Sequence, residues 1–185
     1  MTRRKLILAV ALLPALCFAA GDPRGIHNFR QVDDHIYRGG QPSRDGIHDL
    51  AKLGVRSVVD LRGGGKRSAA EKKQVEALGM KYYAIPLPAL DAPQKEEIAK
   101  VLGLLNDSQN WPVFIHCQHG RDRTGTVVAC YRIGHDNWNN QRALKEAAYD
   151  GLSRFERGMR AFILQYRPSG ETPKAVALAK PKSIQ

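Results

Sequence analysis

Between an apolar run and a helix-forming run, this chain carries ten residues reading His116, Cys117, Gln118, His119, Gly120, Arg121, Asp122, Arg123, Thr124, Gly125. The preceding Pro112, Val113, Phe114 and Ile115 have the length and composition of a buried strand. The following residues 126–132, Thr-Val-Val-Ala-Cys-Tyr-Arg, read as the first turns of a helix. A strand, a tight loop and a helix in that order make an anion site. The loop amides converge on one point, and the helix N-terminus adds its partial positive charge there. Gly120 and Gly125 stand where such a loop needs residues free of steric limits.

Cys117 heads the loop and Arg123 follows six positions later. Amides and a guanidinium favour the thiolate, and such settings lower a cysteine pKa from about 8.5 into roughly 3.5–7.5. Arg123 can grip two non-bridging phosphate oxygens in bidentate fashion. The Thr124 hydroxyl can donate to the sulfur, as attacker and as leaving group. The expected chemistry is thiolate attack on phosphorus, a cysteinyl-phosphate intermediate and its hydrolysis. Gln118, His119, Gly120, Arg121 and Asp122 complete the cradle around the phosphate, with His119, Arg121 and Asp122 at its rim. His116 is expected to hold the cysteine strand by hydrogen bonds, neither ligating metal nor attacking.

The pattern His-Cys-x5-Arg-Thr-Gly resembles the signature of the cysteine-based protein tyrosine and dual-specificity phosphatases. Residues 37–42, Tyr-Arg-Gly-Gly-Gln-Pro, and 54–62, Gly-Val-Arg-Ser-Val-Val-Asp-Leu-Arg, extend the likeness. They resemble the N-terminal half of bacterial dual-specificity-like phosphatases and of the atypical fungal and plant group. That group acts on phosphotyrosine and on inositol pyrophosphates.

The resemblance implies a metal-independent enzyme without cofactor. It also implies a general acid, an aspartate on a mobile loop ahead of the helix that precedes the cysteine strand. Asp91, twenty-six residues before Cys117, occupies that position, although it could equally cap the helix that starts near Pro93. Asp107 lies too near the buried strand, Asp60 belongs to an earlier strand, and Asp122 points from within the loop. The fungal and plant relatives carry basic residues at the positions of Arg121 and Asp122, so Asp122 argues against an inositol pyrophosphate. The expected substrate is phosphotyrosine in protein. Similar periplasmic tyrosine phosphatases of Gram-negative bacteria act on the outward-facing parts of membrane signalling proteins. The alternatives are a phosphatase for inositol phosphates or other small phosphoesters, and a non-catalytic phosphate-binding module.

Along the chain, residues 35–43 read as a strand and turn, with Ser43 capping a helix to Leu53 and Gly54 stopping it. Residues 55–62 form the next strand. Arg38 and Arg62 are expected to be structural, holding loops or an acidic neighbour. The run Gly63, Gly64, Gly65, Lys66, Arg67 lacks the Walker spacing and reads as a flexible surface loop. Ser68 and Glu71 predict a capping box for a helix ending at Gly79. A strand over 80–85 and a rigid loop over 86–93 follow, and Pro93 is expected as the first residue of the next helix. Asn139 or Asn140 caps a helix to Tyr149. Ser153 and Glu156 predict a second capping box, for a helix to Tyr166. The alternation of strands and helices implies crossovers, hence an α/β domain with a central, mostly parallel sheet flanked by helices. The cysteine loop then lies at the carboxyl end of a strand, where such sheets bind ligands.

Arg3, Arg4 and Lys5 precede a nearly uninterrupted apolar run ending in Ala19, Ala20 and Gly21. That is the pattern of a secretory signal peptide over 1–20, too short to span a bilayer comfortably. The expected organisation is therefore a signal peptide at 1–20, a phosphatase domain at 21–168 and a disordered tail at 169–185. The mature protein is expected in the periplasm or secreted, without stable membrane insertion. Loss of the three basic residues lowers the formal charge from +11 to +8. A positive surface suits anionic phosphoesters. No basic run is interleaved with aromatics, so nucleic acid is not an expected partner. Of three cysteines, Cys117 and Cys130 survive maturation. Cys130 reads as a buried thiol, with a redox partnership to Cys117 as the alternative.

Overall fold

The computed structural model describes residues 23–168. The expected signal peptide and tail lie outside the described residues. Five strands form one sheet: β1 (Arg30–Gln31), β2 (Ile36–Gly39), β3 (Ser57–Asp60), β4 (Lys81–Ala84) and β5 (Val113–His116). Their spatial order is β1-β2-β5-β3-β4, parallel throughout except for β1, which pairs antiparallel with β2. The two-residue β1 is invisible to hydrophobic periodicity, being too short and exposed on both residues. The cysteine strand β5 is central, in register with Gly39 of β2 and Asp60 of β3 through His116.

Alternation along the strands explains the two helical layers. Phe114 and Val58 face one side, where Ile47 and Leu50 of α1 (Arg44–Lys52) and Val75 of α2 (Lys66–Ala77) cover them. Val113, Ile115 and Val59 face the other side. There they meet α3 (Lys95–Asn106), α4 (Asp122–Gly134), α5 (Asn140–Tyr149) and α6 (Arg157–Gln165). Because β3 and β5 are apolar on both faces, both layers bury against them, as a parallel sheet requires.

Several helix starts differ from expectation. Ser43 caps α1 as expected, accepting the Gly46 amide at 3.1 Å, and Gly54 follows with φ +85°. The Ser68–Glu71 capping box does not form. α2 starts three residues earlier, with Gly65 as N-cap and no side-chain cap, and both side chains point into the protein, where buried Asp60 and Arg62 bind them. Lys66 and Arg67 are accordingly helical. Pro93 does not open α3; Gln94 is the N-cap, and its amide donates to Glu97 Oε2 at 2.8 Å. The Ser153–Glu156 box is also absent, because the Ser153 amide is drawn to Asp122 Oδ1 at 2.8 Å and Ser153 Oγ takes the Phe155 amide. Asn139 caps α5 through the Arg142 amide, while Asn140 ties α5 to the carbonyls of Ile163 and Tyr166.

Candidate active site

The loop after β5 is held from outside by its neighbours. Gln41 N donates to the Gln118 carbonyl at 3.2 Å, Asn28 Nδ2 to the His119 carbonyl at 2.9 Å, and Arg38 Nη2 to the Gly120 carbonyl at 2.7 Å. A peptide plane whose oxygen points outward turns the next amide inward. Three consecutive engaged carbonyls therefore aim three successive amides at the loop centre. Gly120 is required here for two reasons. Its φ is +69°, and a Cβ would sit 2.3 Å from the carbonyl carbon of Gly39. Gly125, by contrast, lies in the ordinary helix α4, where a Cβ would meet Ala147 Cβ at an unremarkable 3.7 Å. The steric need expected for Gly125 is not there.

Cys117 is 3% exposed at the mouth of this cradle. Burial pushes its thiol pKa up, but the Thr124 hydroxyl, the amides of Thr124 and His119 and the charge of Arg123 together bring it below the ordinary value. Thr124 Oγ1 is buried, and its hydroxyl is the side-chain donor that favours the Cys117 thiolate. Arg123 Nη1 donates to the Leu61 carbonyl at 3.2 Å, which anchors its guanidinium to the backbone just after β3. The expected anion cradle and the expected nucleophile environment thus coincide.

Behind the loop lies a buried ionic network. Asp60 Oδ1 and Oδ2 accept from Arg62 Nε and Nη2 at 2.7 and 2.8 Å, and Ser68 and Tyr82 donate to Oδ2 at 2.7 and 2.6 Å. Burial would raise the Asp60 pKa, yet Arg62, His116, Tyr82 and Ser68 hold it well below the usual carboxylate range. Arg62 Nη2 also reaches Glu71 Oε2 at 2.7 Å. His116 Nε2 approaches Glu71 Oε1 at 2.8 Å, off the line a hydrogen bond prefers, while its Nδ1 faces the Cys117 carbonyl at 3.3 Å. His116 is thereby tied to the cysteine strand and to α2. Asp60, Glu71 and His116 lie within metal-ligating distance of one another, but Arg62 occupies oxygens of both carboxylates.

The rim differs from expectation at one position. Asp122 spends Oδ1 on the Ser153 amide and so ties α4 to the segment before α6, instead of facing the phosphate. Arg121 and His119 are exposed and Gln118 is half-buried. The Arg121 stem packs over Gly151, where a Cβ would come within 2.8 Å of Arg121 Cδ. Asp91 is exposed on the loop after β4, and among the described residues no ion pair engages it. Leu87, Pro88 and Pro93 of that loop border the same gap as Arg123, which places the loop beside the cysteine loop. Asp91 does not cap α3, since Gln94 does.

Arg38 and Arg62 are structural, as expected, bound to Asp150 and Asp60 respectively. Sequence reasoning missed Asn28, whose φ of +53° hints at a special turn only once the backbone is known. It also missed Asp150, a sequence-remote partner of Arg38. Cys130 is fully buried, and burial pushes its thiol up. It lies eight residues into α4, about 12 Å along the axis from Asp122. Both cysteines are free thiols.

The family described as "DSP-PTPase phosphatase fused to NAD+ Kinase" matches residues 23–160. The dual specificity protein phosphatase TpbA of Pseudomonas aeruginosa is 30% identical over 126 residues, covering 68% of this chain and 55% of that protein. The inositol diphosphatase DSP3 of Arabidopsis thaliana is 33% identical over 109 residues, covering 57% of this chain and 53% of its own. The match thus spans about half the length of these two relatives. TpbA solved in complex with pTyr superposes with a TM-score of 0.64 at 25% identity, over 74% of this chain and 82% of that one. The core catalytic domain of the PP-IP phosphatase Siw14 from S. cerevisiae shares the fold, with a TM-score of 0.70 at 23% identity over 76% and 86% of the two chains. With the cysteine, the arginine and the cradle in place on that fold, this chain belongs to the DSP-PTPase family of cysteine-dependent phosphatases, which hydrolyse phosphoesters.

Proposed function

We propose that the protein hydrolyses phosphomonoesters through a cysteinyl-phosphate intermediate, with phosphotyrosine in protein as its substrate. The observation that carries this reading is the buried Cys117, its thiol lowered by Thr124, by two inward amides and by Arg123. The Cys117 sulfur attacks phosphorus, forming the S–P bond as the ester P–O bond breaks. Arg123 and the amides hold the non-bridging oxygens, whose charge builds in the transition state. Asp91 delivers its proton to the leaving oxygen, then as a carboxylate takes one from the attacking water. That water breaks the S–P bond, and Thr124 stabilises the departing thiolate.

The likeness to TpbA, solved with pTyr, supports a tyrosyl substrate. The likeness to DSP3 supports the second reading, an inositol phosphate or other small phosphoester. The leader-like residues 1–20 support export to the periplasm, with a membrane signalling protein as partner. No helix among the described residues is long and apolar enough to cross a membrane. Turnover of para-nitrophenyl phosphate in EDTA, abolished by Cys117→Ser, is the expected result. Residual turnover in that variant beyond a trace rejects the covalent route. Phosphotyrosine peptides, phosphoserine peptides and phytate, assayed side by side, divide the two substrate readings.

A further inference from the structure

The turn between α5 and α6 has no part in the steps above, yet the stretch from Gly151 to Met159 touches both loops that carry them. On one side it grips the cysteine loop. The Arg121 stem lies over Gly151, and the Ser153 amide donates to Asp122 Oδ1 at 2.8 Å. Ser153 Oγ then takes the Phe155 amide at 3.2 Å, which leads the chain into α6. On the other side α6 abuts the loop after β4 that carries Asp91. A Cβ on Gly158 would come 3.1 Å from the Ala92 nitrogen and 3.6 Å from the Ala92 Cβ. Met159, 1% exposed, borders the same gap as Leu87, Pro88 and Pro93 of that loop and Arg123 and Thr126 of α4.

Glycine is a poor helix former, and alanine is ordinarily the more stable choice in a helix. Gly158 is not among the glycines with positive φ, so its backbone conformation does not require glycine. What Gly158 provides is close approach. A Cβ contact of 3.1 Å is tighter than side chains normally make, so with any side chain here α6 and Ala92 must separate. The Ala92 nitrogen is bonded to the Asp91 carbonyl carbon through a rigid peptide plane, and moving one moves the other. Among the described residues no ion pair holds the Asp91 carboxylate independently of its backbone.

We propose that Gly158 and Asp122 are positioning residues for the proton transfer. Asp122 holds the α5–α6 turn to the cysteine loop, and Gly158 sets Ala92, and with it Asp91, at a fixed offset from Cys117. The proposal rests on the phosphatase reading above with Asp91 as the acid, and it adds the element that registers acid against nucleophile.

The test uses a phosphotyrosine peptide, whose leaving oxygen needs the proton, and para-nitrophenyl phosphate, whose leaving oxygen needs it far less. Gly158→Ala asks the contact to open by a few tenths of an ångström, and Gly158→Val by more. Misplacement by about 1 Å costs about a hundredfold, so kcat for the peptide should fall about fivefold and about fiftyfold respectively. KM should hold, and para-nitrophenyl phosphate should slow much less than the peptide. The pH profile of Cys117 alkylation should match the parent, and Gly158→Ala protein should melt no lower, alanine being the better helix former. Asp122→Ala should show the same selective loss, and Asp122→Asn, which keeps an acceptor for the Ser153 amide, should recover most of it. Equal slowing of both substrates, or a parental rate on the peptide in Gly158→Val, overturns the positioning role. Asp91→Asn separates the two readings. If it leaves the leaving-group dependence unchanged, the acid assignment fails and the positioning role fails with it. If it is selective and the Gly158 variants are not, the positioning role alone fails. In protein carrying both Asp91→Asn and Gly158→Val the losses should not multiply, because both act through one proton, and a multiplied loss also refutes the role.

Discussion

Replacement of Arg38 by methionine tests whether the cysteine loop is held from behind. The Arg38 side chain is 2% exposed and that of its partner Asp150 is 8% exposed. Nη1 donates to Asp150 Oδ2 at 2.8 Å and Nη2 to the Gly120 carbonyl at 2.7 Å. Burial draws the Arg38 pKa below its ordinary value, and Asp150 opposes that shift. Methionine preserves the apolar stem and removes every donor. Asp150 is then left to Arg30, half-exposed at 2.9 Å, and the Gly120 carbonyl loses the partner that turns it outward. Removing one partner of a buried ion pair costs about 3–5 kcal/mol. The surviving Arg30 contact places the expectation near the lower end, about 3 kcal/mol. At about 2–4 °C per kcal/mol for a domain of this size, Tm should fall by about 6–12 °C. Circular dichroism melts measure the shift, and para-nitrophenyl phosphate turnover well below the melt measures the loosened loop. Lysine should recover only part of the loss, because an ammonium cannot serve both acceptors as a planar fork does. A melt within about 2 °C of the parent, with turnover unchanged, refutes the bracing role.

Three further outcomes are expected. Cys117 should be alkylated by iodoacetamide at a pH below the ordinary thiol value of about 8.5, and Thr124→Val should move that profile upward, since the hydroxyl favours the thiolate; an unmoved profile removes Thr124 from the site. Gly120→Ala forces a Cβ onto the Gly39 carbonyl carbon at φ +69°. Its kcat/KM should drop by about a hundredfold through loop displacement, and a wild-type rate would contradict the geometry. Asp91→Asn should slow tyrosyl phosphate by about a hundredfold or more, slow para-nitrophenyl phosphate only modestly, and flatten the basic limb of the pH profile. If limb and leaving-group dependence both persist, the acid is another residue.

The chain itself determines the strand–loop–helix around Cys117, the parallel α/β sheet and the pairing of thiol with guanidinium. Those features rest on local patterns: apolar runs of strand length, alternation of element types, and a fixed spacing from Cys117 to Arg123. Glu71 and Ser68 show where local reading ends. As a capping box they satisfy a short-range rule, yet they turn inward because Asp60 and Arg62 offer a buried ionic network that a helix end in water cannot match. Asp122 likewise leaves the phosphate rim for the amide of Ser153, thirty-one residues away. Only the tertiary structure brings Asn28, Arg38 and Gln41 to the three loop carbonyls, since chain separations of about eighty to ninety residues carry no periodic signal. Only it sets Gly158 of α6 against Ala92, the chain neighbour of Asp91. Local sequence specifies which groups a segment offers; which of them meet is decided by the packing of distant segments, where each buried donor must find its acceptor.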